Sequence, residues 1–124
     1  MTLNAILVED SQTIRDTLIP TMAELADIQI IAVAETATQA RDALAQHADK
    51  WQLAIVDLFL RQGSGLEVVR ACQQRRGNQK VVVLTNYATP DIRRKCLGLT
   101  ADAVFDKSTE LDDFFDFCIS LADG

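Results

Sequence analysis

"AILVEDS", residues 5–11, opens with four apolar residues of buried-strand character and then turns into two adjacent carboxylates, Glu9 and Asp10. Like charges at consecutive positions beside an apolar core repel each other and cost desolvation energy. Such a pair at a strand end requires a neutralising partner from elsewhere in the chain.

Beyond this first strand (4–9), strands and helices alternate. Residues 11–25 carry Ile14, Leu18, Met22 and Leu25 at helical spacing, with Ser11 as N-cap. Pro20 falls inside this helix and predicts a kink or a local break. A second strand (28–35) leads to an Ala-rich helix (36–48) capped by Thr36 or Thr38. The third strand (53–57) runs into a Gly-rich loop, "RQGSG", and a helix over 65–75. A fourth strand (80–86) precedes a short helix (89–99) with Pro90 in its first turn. Strand 5 (101–107) and helix 5 (108–122) complete the pattern.

Strands alternating with helices imply parallel pairing and right-handed crossovers. Strands 3 and 4 are near-continuous apolar runs, as in a sheet covered on both faces. The expected fold is α/β, a flavodoxin-like (βα)5 doubly wound sheet of order 2-1-3-4-5, forming one domain over residues 1–124. The 48% hydrophobic content suffices for one core. A net charge of −6 disfavours nucleic-acid binding, and the one dense basic cluster, "RRK" at 93–95, reads as a solvated helix face. Three distant cysteines, Cys72, Cys96 and Cys118, fit small hydrophobes in a reducing cytoplasm better than a disulfide framework or a zinc site. No apolar run is long enough to span a bilayer, so a cytoplasmic protein without membrane contact is expected.

In this fold, ligands bind outside the carboxyl ends of the strands. Those ends carry Glu9 and Asp10, then Asp57, then Thr85, then Asp106 and Lys107. Neighbouring strands lie about 4.8 Å apart, so the three acids of strands 1 and 3 converge, with Thr85 and Lys107 on the other flank. Oxygen-only ligands suit a hard cation, Mg²⁺ (or Mn²⁺). Lys107 adds a point charge for a phosphoryl oxygen, and Thr85 adds a hydroxyl donor. The pattern is that of a phosphoryl-transfer site with Asp57 as nucleophile, forming an acyl phosphate. Glu9 and Asp10 are the expected metal ligands. Side chains alternate along a strand, so the two are not equivalent: Asp10 is assigned direct contact and Glu9 contact through water.

These residues resemble the receiver domain of two-component response regulators. The likeness rests on "LVEDS", "IVDLFLRQGSGLEVVR", "VVVLTN" and "VFDKS", in order and at matching strand ends, and covers essentially the whole chain. It implies that Asp57 accepts a phosphoryl group from a phosphohistidine on a sensor histidine kinase or phosphotransfer protein. It implies Mg²⁺ held by Asp10, Asp57 and the backbone carbonyl of Phe59. It matches Thr85 to the family's switch hydroxyl and Phe105 to its switch aromatic. Phosphorylation would then change the helix 4–strand 5–helix 5 face, read by an output partner or by a second copy in a homodimer. The domain would be a regulatory phosphoacceptor, catalysing only its own phosphorylation and dephosphorylation. The chain is either a stand-alone regulator or a receiver cut from a longer protein.

Two departures stand out. Arg61 replaces a common proline four residues after the phosphoacceptor, although Gly65 keeps the expected glycine, and Ser108 replaces a proline after the lysine. Phe59 and Tyr87 are bulky at variable positions and are expected to shield the acyl phosphate from water. Among other functions, a flavodoxin-type FMN electron carrier is opposed by the acids of "EDSQT", where a flavin phosphate would sit. An aspartyl-phosphate phosphatase needs a second Asp where Phe59 stands. A receiver-like interaction scaffold, never switched by phosphorylation, runs against the complete set of acids, hydroxyl and lysine. In helix 5, Leu111, Phe114, Phe115, Cys118, Ile119 and Ala122 share a face expected to be buried, while Phe117 lies off it, exposed for a partner. Asp106 is expected to be a solvated loop acid, and His47 and Trp51 partly exposed.

Overall fold

The computed structural model describes residues 2–123. Five parallel strands, β1 (Leu3–Val8), β2 (Ile28–Ala34), β3 (Leu53–Val56), β4 (Lys80–Thr85) and β5 (Ala103–Asp106), form one sheet of order β2-β1-β3-β4-β5. Between and after them run α1 (Gln12–Ala26), α2 (Ala37–Gln46), α3 (Gly65–Ala71), α4 (Pro90–Gly98) and α5 (Leu111–Asp123). The expected fold class and strand order are those observed.

The strand pleat explains the layers. Ile6 and Val8 face the core that includes Ala37, Ala40, Val68, Val69 and Cys96 of α2, α3 and α4. Ala5 and Leu7 face the opposite core, with Leu18 and Met22 of α1 and Phe114 and Cys118 of α5. Successive side chains point to opposite faces, so a continuous apolar strand feeds two cores. Val81, Val82 and Val83 of β4 are all fully buried. Each such side chain contributes about 1.5–3 kcal/mol by leaving water.

Local signals act as their chemistry suggests. The Ile14, Gln39, Leu66 and Ile92 amides donate to the side-chain oxygens of Ser11, Thr36, Ser64 and Thr89, the N-caps of α1, α2, α3 and α4. Of the two candidate caps of α2, Thr36 fills the role.

Several expectations are corrected by packing. The α1 helix continues through Pro20 without a break, since Leu18 and Met22 anchor it to the core on both sides of the proline. Leu25 is 52% exposed, and Ala26 takes the buried position instead. Trp51 is buried at 4% exposure, because the turn after α2, in which the Trp51 amide donates to the His47 carbonyl, delivers it to the core that holds Ala40, Cys72 and Val81. Phe117 is half-buried rather than exposed: its ring meets Phe105 edge to face at 5.8 Å. Of the predicted α5 face, Phe114 and Cys118 are buried and the other four are half-buried. The α3 helix ends at Ala71, shorter than the pattern over 65–75. No helix among the described residues is long and apolar enough to cross a membrane.

Candidate functional site

Register brings the strand ends level. Val8 pairs with Val56, and the Asp57 amide donates to the Val8 carbonyl at 2.9 Å. Thr85 pairs with Asp106, and the Lys107 amide donates to the Thr85 carbonyl at 2.9 Å. The acids and the lysine therefore leave the sheet at one edge. Glu9 and Asp57 continue the parity of Leu7 and Ile55, which face α1 and α5.

Glu9, Asp10 and Asp57 each offer a carboxylate oxygen, all within 4.8 Å of one another. Glu9 is 2% exposed and Asp57 8%. The Lys107 ammonium donates to Glu9 Oε1, and to Asp57 Oδ2 at 3.1 Å. The Ser11 amide donates to Glu9 Oε2 at 3.1 Å, and the Phe59 amide to Asp57 Oδ1 at 3.4 Å. Burial pushes the Glu9 carboxyl above its ordinary value of 4.5; the Asp57 charge adds to this, and Lys107 opposes it. Three carboxylates against one ammonium leave two negative charges when all are ionised. A divalent cation would supply the missing counter-charge, and the all-oxygen donor set fits Mg²⁺ or Mn²⁺.

The remaining candidates are distributed around this cluster. Thr85 is fully buried, and its hydroxyl accepts from the Tyr87 amide at 3.2 Å rather than touching Asp57. Phe105 is half-buried, with its ring against Phe114 at 6.0 Å and against Phe117. Phe59 and Tyr87 meet edge to face at 4.7 Å and are 56% and 58% exposed. They stand at the rim of a cleft of about 200 Å³ that also takes in Glu9, Asp10, Asp57, Asn86 and Lys107.

Asp106 is a correction. It is half-buried, and its Oδ1 accepts from the Ser108 and Thr109 amides at 2.7 and 3.2 Å, shaping the turn into α5. All peptide bonds among the described residues are trans, Lys107–Ser108 included. Asn86 was not singled out from sequence; it lines the cleft, and its Oδ1 accepts from the Ser108 hydroxyl at 3.3 Å. Nothing in its sequence position distinguishes it from an ordinary loop asparagine.

Gly65 is needed for close approach. A Cβ there would lie 2.1 Å from the Asp57 carbonyl oxygen and 2.7 Å from Leu58 Cα. The start of α3 can therefore pack directly on the backbone that carries Asp57.

A larger groove, about 400 Å³, lies between α2 and α3 at the opposite edge of the sheet, above Trp51 and Cys72. Its arginines are already paired: Arg41 with Glu67, Arg75 with Asp102 and Arg76 with Asp49. It offers no uncompensated charge comparable to the acidic cleft.

Residues 5–117 match the family described as the response regulator receiver domain. The chain belongs to this family. The receiver domain's sequence is 40% identical over 55 residues to the photosynthetic apparatus regulatory protein RegA of Rhodobacter capsulatus. That match spans 44% of this chain and 29% of the relative. Among solved structures, a LuxR-family DNA-binding response regulator from Staphylococcus aureus superposes with a TM-score of 0.84 at 19% identity, covering 97% of this chain and 98% of that one. The response regulator domain of Thermotoga maritima CheB gives 0.84 at 12% identity, covering 100% and 98%. The Mn²⁺-bound form of response regulator Rcp1 gives 0.74 at 24% identity, covering 96% and 91%. Receiver domains are regulatory modules rather than turnover enzymes.

Proposed function

We propose that residues 1–124 form a single receiver domain that acts as the phosphoacceptor switch of a two-component phosphorelay. One observation carries the reading: Glu9, Asp10 and Asp57 meet within 4.8 Å while Lys107 reaches two of them. Asp10, Asp57 and the Phe59 carbonyl would hold Mg²⁺ or Mn²⁺ directly, with Glu9 acting through water. When bound, the ion neutralises the acids and the charge on the phosphoryl oxygens.

The residues divide the chemistry. An Asp57 carboxylate oxygen attacks the phosphorus of a phosphohistidine on a sensor histidine kinase or phosphotransfer protein. The O–P bond forms as the P–N bond breaks, and the imidazole leaves with that electron pair. Lys107 places its charge on one phosphoryl oxygen. Thr85 gives up the Tyr87 amide and donates its hydroxyl to another. Phe105 turns toward the space Thr85 vacates, and the face made by α4, β5 and α5 changes with it. An output partner, an attached domain or a second copy in a homodimer reads that face. The domain catalyses its own phosphorylation and later hydrolysis, works in the cytoplasm, and makes no direct contact with nucleic acid or membrane.

Incubation with phosphoramidate and Mg²⁺, followed by intact-mass measurement, tests this. Wild type gains one phosphoryl group, chelation of the metal abolishes the gain, and Asp57→Asn gains none. A gain by both proteins would remove Asp57 from its role.

A further inference from the structure

The geometry points to Glu35 as a positioning residue of the metal site, a single carboxylate that joins the two backbone segments bearing the ligands. This inference rests on the metal reading proposed above.

Glu35 follows the edge strand β2 and does not line the acidic cleft. Its Oε2 accepts from Arg61 Nη2 at 2.8 Å and lies 3.6 Å from Arg15 Nη1. The same Arg15 nitrogen donates to the Glu9 carbonyl oxygen at 2.8 Å. That oxygen belongs to the peptide unit containing the Asp10 nitrogen. A peptide plane moves as one body, so holding the oxygen sets the direction from which the Asp10 side chain departs.

Arg61 sits on the other segment, two residues after Phe59 in the loop between β3 and α3. Composition does not stiffen this loop. It has no proline, and Gly63 is left-handed at φ 76°. Its shape comes from contacts. The Gly65 amide donates to the Leu58 carbonyl at 2.9 Å, and Phe59 bridges Ser64. Two further ties run outward to the start of α2: the Ala37 amide donates to the Gln62 carbonyl at 3.0 Å, and Arg61 binds Glu35. Glu35 is therefore where the Asp10 backbone and the Phe59 loop meet a common anchor.

The Arg61 side chain is 64% exposed, so its pair with Glu35 adds little to global stability, whereas Arg15, at 16%, is the more buried arm of the link. A structural role and a positioning role consequently separate in measurement. Partners that orient metal ligands typically change affinity by about 10–100-fold when removed.

The test is a Mn²⁺ titration of the full chain, following the EPR signal of free Mn²⁺, alongside thermal melting without metal. Glu35→Gln weakens Mn²⁺ binding by about tenfold. Arg61→Met weakens it by about threefold, the scale of one exposed pair. The double variant is no weaker than Glu35→Gln, because both losses pass through one carboxylate. Glu35→Asp recovers part of the affinity, and the melting temperature without metal stays at the wild-type value. Wild-type affinity in Glu35→Gln, or additive losses in the double variant, overturns the inference. Failure of wild type to bind Mn²⁺ at all overturns the metal reading, and this inference with it.

Discussion

Lys107 and Glu9, 98 positions apart in sequence, are in direct contact across the site, and the same ammonium reaches Asp57 Oδ2 at 3.1 Å. One cation thus serves two buried carboxylates, while burial holds Glu9 above its ordinary value of 4.5. The fold tolerates this cluster because Lys107 offsets part of its charge.

Lys107→Met leaves those carboxylates without their cation. A raised carboxyl stabilises the fold through its neutral form, fully below about pH 4.5, and that contribution is lost as pH rises through the folded value. Removing Lys107 deepens the loss on the alkaline side. We expect destabilisation of about 3 kcal/mol near pH 8, narrowing toward pH 5, in urea unfolding of both proteins. A gap that widens on acidification would contradict this.

Gly65→Ala pushes a methyl group against the Asp57 carbonyl, 2.1 Å away, whereas a methyl at Gly77 meets nothing within 4 Å. The first substitution costs about 3 kcal/mol and displaces the start of α3; the second is near neutral. Paired denaturation curves for the two variants provide the comparison.

Phe59 and Tyr87 stand 4.7 Å apart at the rim of the cleft that takes in Asp57. Replacing both with alanine is expected to speed loss of the phosphoryl group several-fold. Decay of phosphorylated protein, followed by intact mass after removal of the donor, measures it. An unchanged rate argues against shielding.

Arg93 of α4 donates to the carbonyls of Ala88 and Val104 at 2.9 and 3.1 Å and pairs with Glu110, ahead of α5. Its side chain, with the Asp106 amide, holds the Glu110 carboxyl below its ordinary value of 4.5. A depressed carboxyl stabilises the fold above its unfolded value and loses that contribution as pH falls through the folded one. Glu110→Gln should therefore be less stable than wild type at neutral pH, with the difference closing below about pH 4.5 in acid-unfolding curves.

Much of this was legible in the chain. Hydroxyl caps such as Ser11, Thr36 and Thr89 act on amides three residues away, and alternating strands and helices restrict the topology. Trp51, Phe117 and Asp106 were misjudged because their surroundings come from distant segments or from a turn that periodicity does not describe. Phe117 is covered by Phe105 of β5, and Asp106 is engaged by amides of the following loop. Leu25 lost its core position to Ala26, since the path of α1 over the sheet is set by packing along the whole helix.

The sequence by itself determined the α/β alternation and placed the acids, Thr85 and Lys107 at or just past the strand ends, because these follow from local periodicity; with right-handed crossovers it restricted the strand order to a few doubly wound possibilities. Tertiary structure alone decided which of those residues touch. Lys107 reaches Glu9 and Asp57, Thr85 is bound instead to the Tyr87 amide, and Glu35 links Arg15 to Arg61. The reason is distance along the chain: contacts between residues tens of positions apart depend on register and side-chain direction, which exist only once the sheet has formed.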